Sequence, residues 1–190
     1  DSLKGLVNYL SIYKFCGIIT PYLETEGTQF IRKKLPSLKI LHIPHHIDSN
    51  YFQNWKSSKK YDIFIFGNTH KNFYPFRNRL LNLLKDSNYR INIWPGFRNY
   101  FRFNKNISNN KLSEAINQSW LTICTSSKFD LLLGKYFETS MSGSIVCGNM
   151  PKDGIEIWKN NFIELTPNMS DDEIFNSLKE GLKYKSKLLK

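Results

Sequence analysis

Residues 120–147 read WLTICTSSKFDLLLGKYFETSMSGSIVC. The apolar run 120–125 predicts a buried strand, and a polar loop follows it. Apolar residues then recur at helical spacing over 132–141, Gly143 is a typical end for that helix, and 144–147 predicts a second buried strand. A strand, a helix and a strand joined in this way predict a βαβ unit with parallel strands.

The same alternation extends in both directions along the chain. Strands are predicted at 15–20, 38–43, 61–66, 89–94 and 162–165, and amphipathic helices at 24–34, 75–85, 112–118 and 171–184. The connections are long enough for crossovers, so we predict an α/β fold: a Rossmann-like open parallel sheet with helices on both faces. The polar stretch 48–60 predicts a linker.

Composition narrows the class of protein. The chain has 190 residues, of which 41% are hydrophobic, enough for one α/β domain and a small appendage. Its apolar runs are too short to span a bilayer, so we expect a soluble, cytoplasmic protein without a transmembrane segment. Cys16, Cys124 and Cys147 show no CxxC spacing, which favours reduced thiols over a metal site.

The net charge of +11 needs an explanation. Nucleic acid, an anionic membrane surface or a phosphorylated small molecule would each favour positive charge. The lysines are scattered along the whole chain, which is also what a biased genome composition produces.

Two carboxylates follow the strand 120–125. Asp130 lies in the loop or the first helical turn, and Glu138 about two turns later, roughly 12 Å away along a helix axis. They are too far apart to share a proton, but they can hold two parts of an elongated ligand. Ligands of such sheets bind beyond the carboxyl ends of the strands, which here are followed by the loops 67–74, 95–98, 125–130 and 148–154.

These residues carry a resemblance to a known family. Ser127-x-x-Asp130, seven residues, then Glu138-Thr-Ser-Met-Ser-Gly143 resembles the Ser-x-x-Glu, seven residues, Glu-Ala-Met-Ala-x-Gly pattern of retaining GT-B glycosyltransferases. The Lys135-Tyr-Phe-Glu138 segment looks like the CgeB-like (spore-maturation-protein-like) branch. Residues 43–48 (IPHHID) and 61–67 (YDIFIFG) resemble the interdomain segment and the first strand of the second domain in the same families.

The resemblance implies the carboxyl-terminal half of a GT-B fold. Residues 1–48 would be the end of the amino-terminal acceptor domain with the linker, and residues 49–190 the domain that binds the nucleotide sugar. The implied reaction transfers a sugar from a nucleoside-diphosphate sugar to an unknown acceptor (a glycan, a protein or a small molecule), with retention and without metal or cofactor. The rest of the amino-terminal domain is an implied partner, and this chain alone is expected to bind a donor but transfer poorly.

The resemblance also assigns roles to residues. Glu138 would bind the ribose, Asp130 would lie near the transferred sugar, and the cations Arg77 and Lys135 would neutralise the departing diphosphate. The remaining donor contacts fall in the loops after the strands: Ser126 and Ser127 at the diphosphate, Pro95 and Gly96 at the base, and Gly67 and Asn68 as further donor-binding residues. Asp130 replaces the glutamate of the family pattern, and Lys135 replaces arginine.

Two other functions stay open at this point. Bases and aromatics interleave over 98–105, as they do in nucleic-acid-binding surfaces, so a basic nucleic-acid-binding module is one alternative. The other is an inactive GT-B remnant that acts as a binding domain, because residues 131–133 are leucines where many relatives have a glycine-rich turn.

Overall fold

A computed structural model describes residues 2–95, 108–159 and 161–183. The helices are α1 (Ser2–Ile12), α2 (Glu26–Lys34), α3 (Pro75–Leu84), α4 (Asn109–Asn117), α5 (Gly134–Met141), α6 (Lys152–Trp158) and α7 (Asp171–Lys183). The strands are β1 (Gly17–Thr20), β2 (Lys39–His42), β3 (Tyr61–Gly67), β4 (Ile91–Pro95), β5 (Ser119–Ile123), β6 (Ile145–Gly148) and β7 (Ile163–Glu164).

Five strands form one parallel sheet in the order β4-β3-β5-β6-β7. Ile63 at the centre of β3 pairs with Ile91 on one side and with Leu121 on the other. The strands are apolar because this sheet is covered on both faces. The predicted α/β fold with an open parallel sheet is therefore confirmed.

Alternate residues of the strands face two different helical layers. Ile63, Ile65 and Leu121 are buried with α3 and α7 on one face. Phe64 and Phe66 are buried with α4 on the other face, where α5 and α6 pack further along the sheet. The period of two residues in a strand produces this division.

The chain reverses its direction across the sheet between β3 and β5. From β3 it moves outward to β4, and it then returns past β3 and continues through β5, β6 and β7. The loops that leave β3 and β5 diverge at such a reversal, and a crevice opens between them at the carboxyl ends of the strands. This edge of the sheet is where we look for a site.

The amino-terminal residues form a smaller unit. β1 and β2 pair in parallel as a separate two-stranded sheet, accompanied by α1 and α2. We call residues 2–43 the first unit and residues 61–183 the second unit. The predicted domain boundary after residue 48 stays a prediction.

Residues 48–60 contain no helix or strand, but they are bonded to the second unit. Phe52 is buried in the core beside α4. The amide of Ser57 donates to the Asn117 side chain (2.9 Å), and the Lys59 amine donates to the carbonyls of Ser119 (2.9 Å) and Gly143 (2.6 Å). The linker is thus attached to the second unit from Phe52 onward.

Two helices were not predicted from the sequence, α1 and α6. Among the described residues, no helix is both long and apolar enough to cross a membrane.

Candidate functional site

Arg77 lies at the bottom of the crevice and connects its two sides. The guanidinium is almost fully buried, and it donates to the Thr125 hydroxyl (3.0 Å), the Thr125 carbonyl (2.8 Å) and the Asn68 carbonyl (2.9 Å). The ring of Tyr74 lies 4.3 Å from the guanidinium carbon. Burial is the main effect on Arg77, and it lowers the pKa of this group from its ordinary value. One side chain of α3 therefore holds the loops after β3 and β5 together.

Gly67 is required by this arrangement. It ends β3 with φ +93°, and a β-carbon there would lie 3.2 Å from the Arg77 Nη1 atom. Pro95 pairs with Gly67 in register at the same edge of the sheet. The structure thus brings Gly67, Asn68 and the Pro95 backbone to one edge, whereas Gly96 lies outside the described residues.

Lys135 is a second buried cation at this edge. Its amine donates to the Phe66 carbonyl (3.0 Å) and lies 4.2 Å from the centroid of the Phe66 ring. The side chain is 7% exposed. Burial, followed by the charge of Arg77, lowers the pKa of Lys135 from 10.5 to about 7. Arg77 and Lys135 thus both donate to carbonyls at the end of β3, those of Asn68 and Phe66.

Glu138 follows Lys135 by one turn of α5 and is half-buried. A β-carbon added to Gly134 would lie 3.8 Å from Glu138 Oε1 and 3.5 Å from the Ile47 side chain, so the carboxylate lies near the linker. Burial raises the pKa of Glu138, an effect that the charge of Lys135 partly offsets.

The Glu138 carboxylate receives no hydrogen bond and no ion pair from any residue in the described part of the chain. Fully buried side-chain oxygens and nitrogens in this part all have partners, so the Glu138 oxygens keep access to solvent. A half-buried carboxylate of this kind is ready to accept hydrogen bonds from a ligand.

The loop after β5 is bonded internally and to the loop after β6. The Ser126 amide donates to Asn149 Oδ1 (3.2 Å), and the Asn149 amide donates back to the Ser126 hydroxyl (2.6 Å). Tyr136 donates its hydroxyl to the Asn149 carbonyl (2.6 Å). Ser127 accepts the amide of Phe129 on its hydroxyl (3.2 Å).

Asp130 lies in this loop with φ +52° and is exposed. Its amide donates to the Ser127 carbonyl (3.0 Å), which closes a tight turn over residues 127–130. The structure therefore groups Arg77, Lys135 and Glu138, while Asp130 lies at the loop tip. The roles of Asp130, Ser126 and Ser127 toward a donor stay predictions.

The first unit is hydrogen-bonded to the start of α6 in the second unit. Both oxygens of Asp153, in the first turn of α6, accept backbone amides of the first unit, from Leu23 (2.9 Å) and Glu24 (2.9 Å). The Tyr22 hydroxyl bonds His45 Nε2 (3.0 Å), and burial and then the neighbouring Tyr74 raise the pKa of Tyr22.

Sequence reasoning missed several of these contacts. Asn149 had a signal, because it follows β6 in one of the loops that the fold marked for inspection. Thr125 had the same signal, because it opens the loop 125–130. The carbonyls that hold Arg77 and Lys135 had none, since a backbone acceptor leaves no trace in a sequence. The basic and aromatic stretch 98–105 lies outside the described residues. No group of three or more His, Cys, Asp or Glu side chains gathers as metal ligands do within the described ranges.

Comparisons with known proteins find similar folds among the solved structures. No family model matches the sequence, and no curated protein matches it significantly. The fold matches that of the pneumococcal O-GlcNAc transferase GtfA, solved in complex with UDP and GlcNAc, with a TM-score of 0.58 and 16% sequence identity. The match covers 96% of this chain and 41% of that one. The finer resemblance to the CgeB-like branch stays a prediction, whereas the chain has the fold of a part of a glycosyltransferase.

Proposed function

We propose that this chain binds a nucleoside-diphosphate sugar in the crevice between β3 and β5 and transfers the sugar to an acceptor. The fold match to a transferase solved with UDP supports a nucleotide-binding role for this edge of the sheet. The observation that carries the proposal is Glu138, whose carboxylate is half-buried and has no partner in the described chain. A protein tolerates such a group where a ligand supplies the missing hydrogen bonds.

Glu138 would accept two hydroxyl groups of the ribose, one on each oxygen. An ionised carboxylate is an acceptor only, and bonds of this kind are stronger than those between neutral groups. Burial raises the pKa of Glu138 and thus disfavours its ionised form. Two hydrogen bonds donated by the ribose would offset this effect, because they stabilise the ionised carboxylate.

Arg77 and Lys135 would stabilise the departing diphosphate. Both cations are fixed by bonds to backbone carbonyls at the end of β3. Charge grows on the diphosphate as the bond to the sugar breaks, and preoriented cations stabilise that charge without having to reorganise. We propose a metal-independent transfer on this basis. Retention, with Asp130 near the sugar, is proposed only from the resemblance to retaining GT-B enzymes.

The transfer step needs more protein than this chain. The chain spans about 41% of the length of the transferase it resembles. Ile19 on β1 is 69% exposed and Leu41 on β2 is 57% exposed, although parallel sheets are usually covered on both faces. We propose that residues 1–48 belong to an acceptor domain whose other parts cover this sheet.

Calorimetry and thermal unfolding with a panel of nucleoside diphosphates test donor binding. One nucleotide is expected to raise the midpoint of unfolding, because a ligand at 100 times its dissociation constant stabilises a fold by about 2.7 kcal/mol. Glu138→Ala should abolish that shift, and the exposed Glu156→Ala on α6 should keep it. If no nucleoside diphosphate changes the midpoint of unfolding, but an oligonucleotide raises it and does so less at high salt, the result would favour nucleic-acid binding over this proposal.

A further inference from the structure

Two exposed phenylalanines and a lysine stand together at the mouth of the crevice. Phe73, in the loop after β3, is 47% exposed, and Phe129, in the loop after β5, is 59% exposed. The Lys128 amine lies 5.1 Å from the centroid of the first ring and 5.0 Å from that of the second. We call Phe73, Lys128 and Phe129 the aromatic rim.

The rim is held in place by its backbone. The Lys128 amide donates to the Phe73 carbonyl (2.9 Å), which ties the two loops to each other. On the other side, the ring of His70 lies 5.8 Å from that of Phe73. Exposed aromatic rings fixed in this way bind a ligand with a smaller loss of conformational entropy than free side chains do.

The rim adjoins the residues assigned to the reaction. Phe129 precedes Asp130, and Phe73 precedes Tyr74, whose ring contacts Arg77. A molecule on the rim would therefore lie beside the donor.

We propose that the aromatic rim binds the acceptor and that this acceptor is a carbohydrate. A pyranose has an apolar face of C–H groups, which stacks on aromatic rings, and a border of hydroxyls, which a lysine amine and an imidazole can bond. The inference rests on the proposed sugar transfer, which it deepens by naming the acceptor class.

The backbone of the rim argues against a peptide. An extended peptide binds mainly through main-chain hydrogen bonds. The Lys128 amide already donates to the Phe73 carbonyl, and the Asp130 amide donates to the Ser127 carbonyl. The Phe129 amide donates to the Ser127 hydroxyl. The rim therefore offers side chains to a ligand, and these three amides are unavailable to a peptide.

Saturation-transfer NMR with methyl glycopyranosides tests the rim. A panel of methyl glucoside, galactoside and N-acetylglucosaminide would be titrated with and without the nucleoside diphosphate that binds. At least one glycoside should receive saturation on its ring C–H protons. The double variant Phe73→Ala/Phe129→Ala should weaken that binding by about tenfold or more.

Controls separate this proposal from the proposed function. The exposed Phe15→Ala of the first unit should bind the glycoside as the wild type does, and calorimetry should show unchanged diphosphate binding in the double variant. Glycoside binding that survives the double substitution would refute the rim as the acceptor site. The same conclusion would follow if a Ser/Thr-containing peptide bound and none of the glycosides did. A wild-type chain that binds a glycoside but no nucleoside diphosphate overturns the donor site, and it leaves the rim as a carbohydrate-binding site without a role in transfer.

Discussion

Arg77 donates two hydrogen bonds to Thr125, one to its hydroxyl at 3.0 Å and one to its carbonyl at 2.8 Å. A third bond reaches the Asn68 carbonyl, so one guanidinium fixes the width of the crevice between β3 and β5. The planar fork of arginine suits this task, because its donors point in fixed directions.

Substitution of Arg77 should therefore destabilise the protein as well as weaken donor binding. Arg77→Met removes the donor from the buried Thr125 carbonyl and from the part-buried Asn68 carbonyl, and we expect a loss of about 3 kcal/mol in the free energy of unfolding. Urea unfolding measures this loss. Arg90→Met is the matched control, since the exposed Arg90–Asp62 pair should contribute little. Equal effects of the two substitutions would contradict a structural role for Arg77.

Glu138→Gln should stabilise the chain without ligand at neutral pH. The raised pKa shows that burial disfavours the ionised carboxylate, which the neutral amide replaces at nearly the same size. We expect a gain of about 0.5–1 kcal/mol in the free energy of unfolding together with loss of nucleotide binding. Denaturation at pH 7 and calorimetry measure the two effects, and a variant less stable than the wild type would show that the carboxylate has a structural partner.

Lys135 should give the stability of the protein a particular pH dependence. Its pKa is about 7 in the fold and 10.5 ordinarily, so between these values the unfolded chain binds more protons than the folded one. Stability that depends on this group therefore rises with pH across that window and is flat below it. Urea unfolding of the wild type and of Lys135→Met, at about pH 6, 7.5 and 9, should show the wild type gaining on the variant as pH rises. Parallel curves would mean that the amine is not desolvated.

Gly148→Ala should prevent normal folding of the sheet edge. Gly148 has φ +149°, and a β-carbon there would overlap the Cys124 carbonyl oxygen. We expect a loss of more than about 3 kcal/mol, because backbone cannot move aside as a side chain can. Gly5→Ala in α1 is the control: nothing lies within 4 Å of its β-carbon, so it should be neutral or stabilise the helix by up to about 1 kcal/mol.

Asp153→Ala should loosen the contact between the two units. Its carboxylate accepts the amides of Leu23 and Glu24, and the substitution leaves both without this acceptor. Hydrogen exchange at these two amides should become faster, while exchange within β3 and β5 stays unchanged. The exposed Asp172→Ala on α7 is the control. Unchanged exchange at Leu23 would show that other contacts hold this loop.

The sequence predicts the second unit well because its strands are short, apolar and separated by turn residues. The observed β3 and α3 differ from their predicted bounds by a single residue at one end each. α1 was missed although Leu3, Leu6, Val7 and Leu10 recur at helical spacing, and only Leu10 of these is buried. α6 is short and contains Gly154, a poor helix former.

Some features of the site also follow from the sequence, and others do not. Lys135 and Glu138 come from a pattern along one helix, so their proximity follows from the sequence once α5 is recognised. The bonds from Arg77 to Thr125 and from Ser126 to Asn149 join residues 48 and 23 positions apart. Such pairings depend on strand order, which local patterns do not encode.

The attachment of residues 52–60 along α4 determines how the crevice can open. With that stretch bonded to the second unit, a swing of the first unit has its pivot in residues 43–48. Ile47 lies within this pivot and rests beside Gly134 and the Glu138 carboxylate. Ile47 also packs against the core of Phe52, Phe64 and Phe66, so a swing of the first unit would leave an apolar side chain in place beside the Glu138 carboxylate.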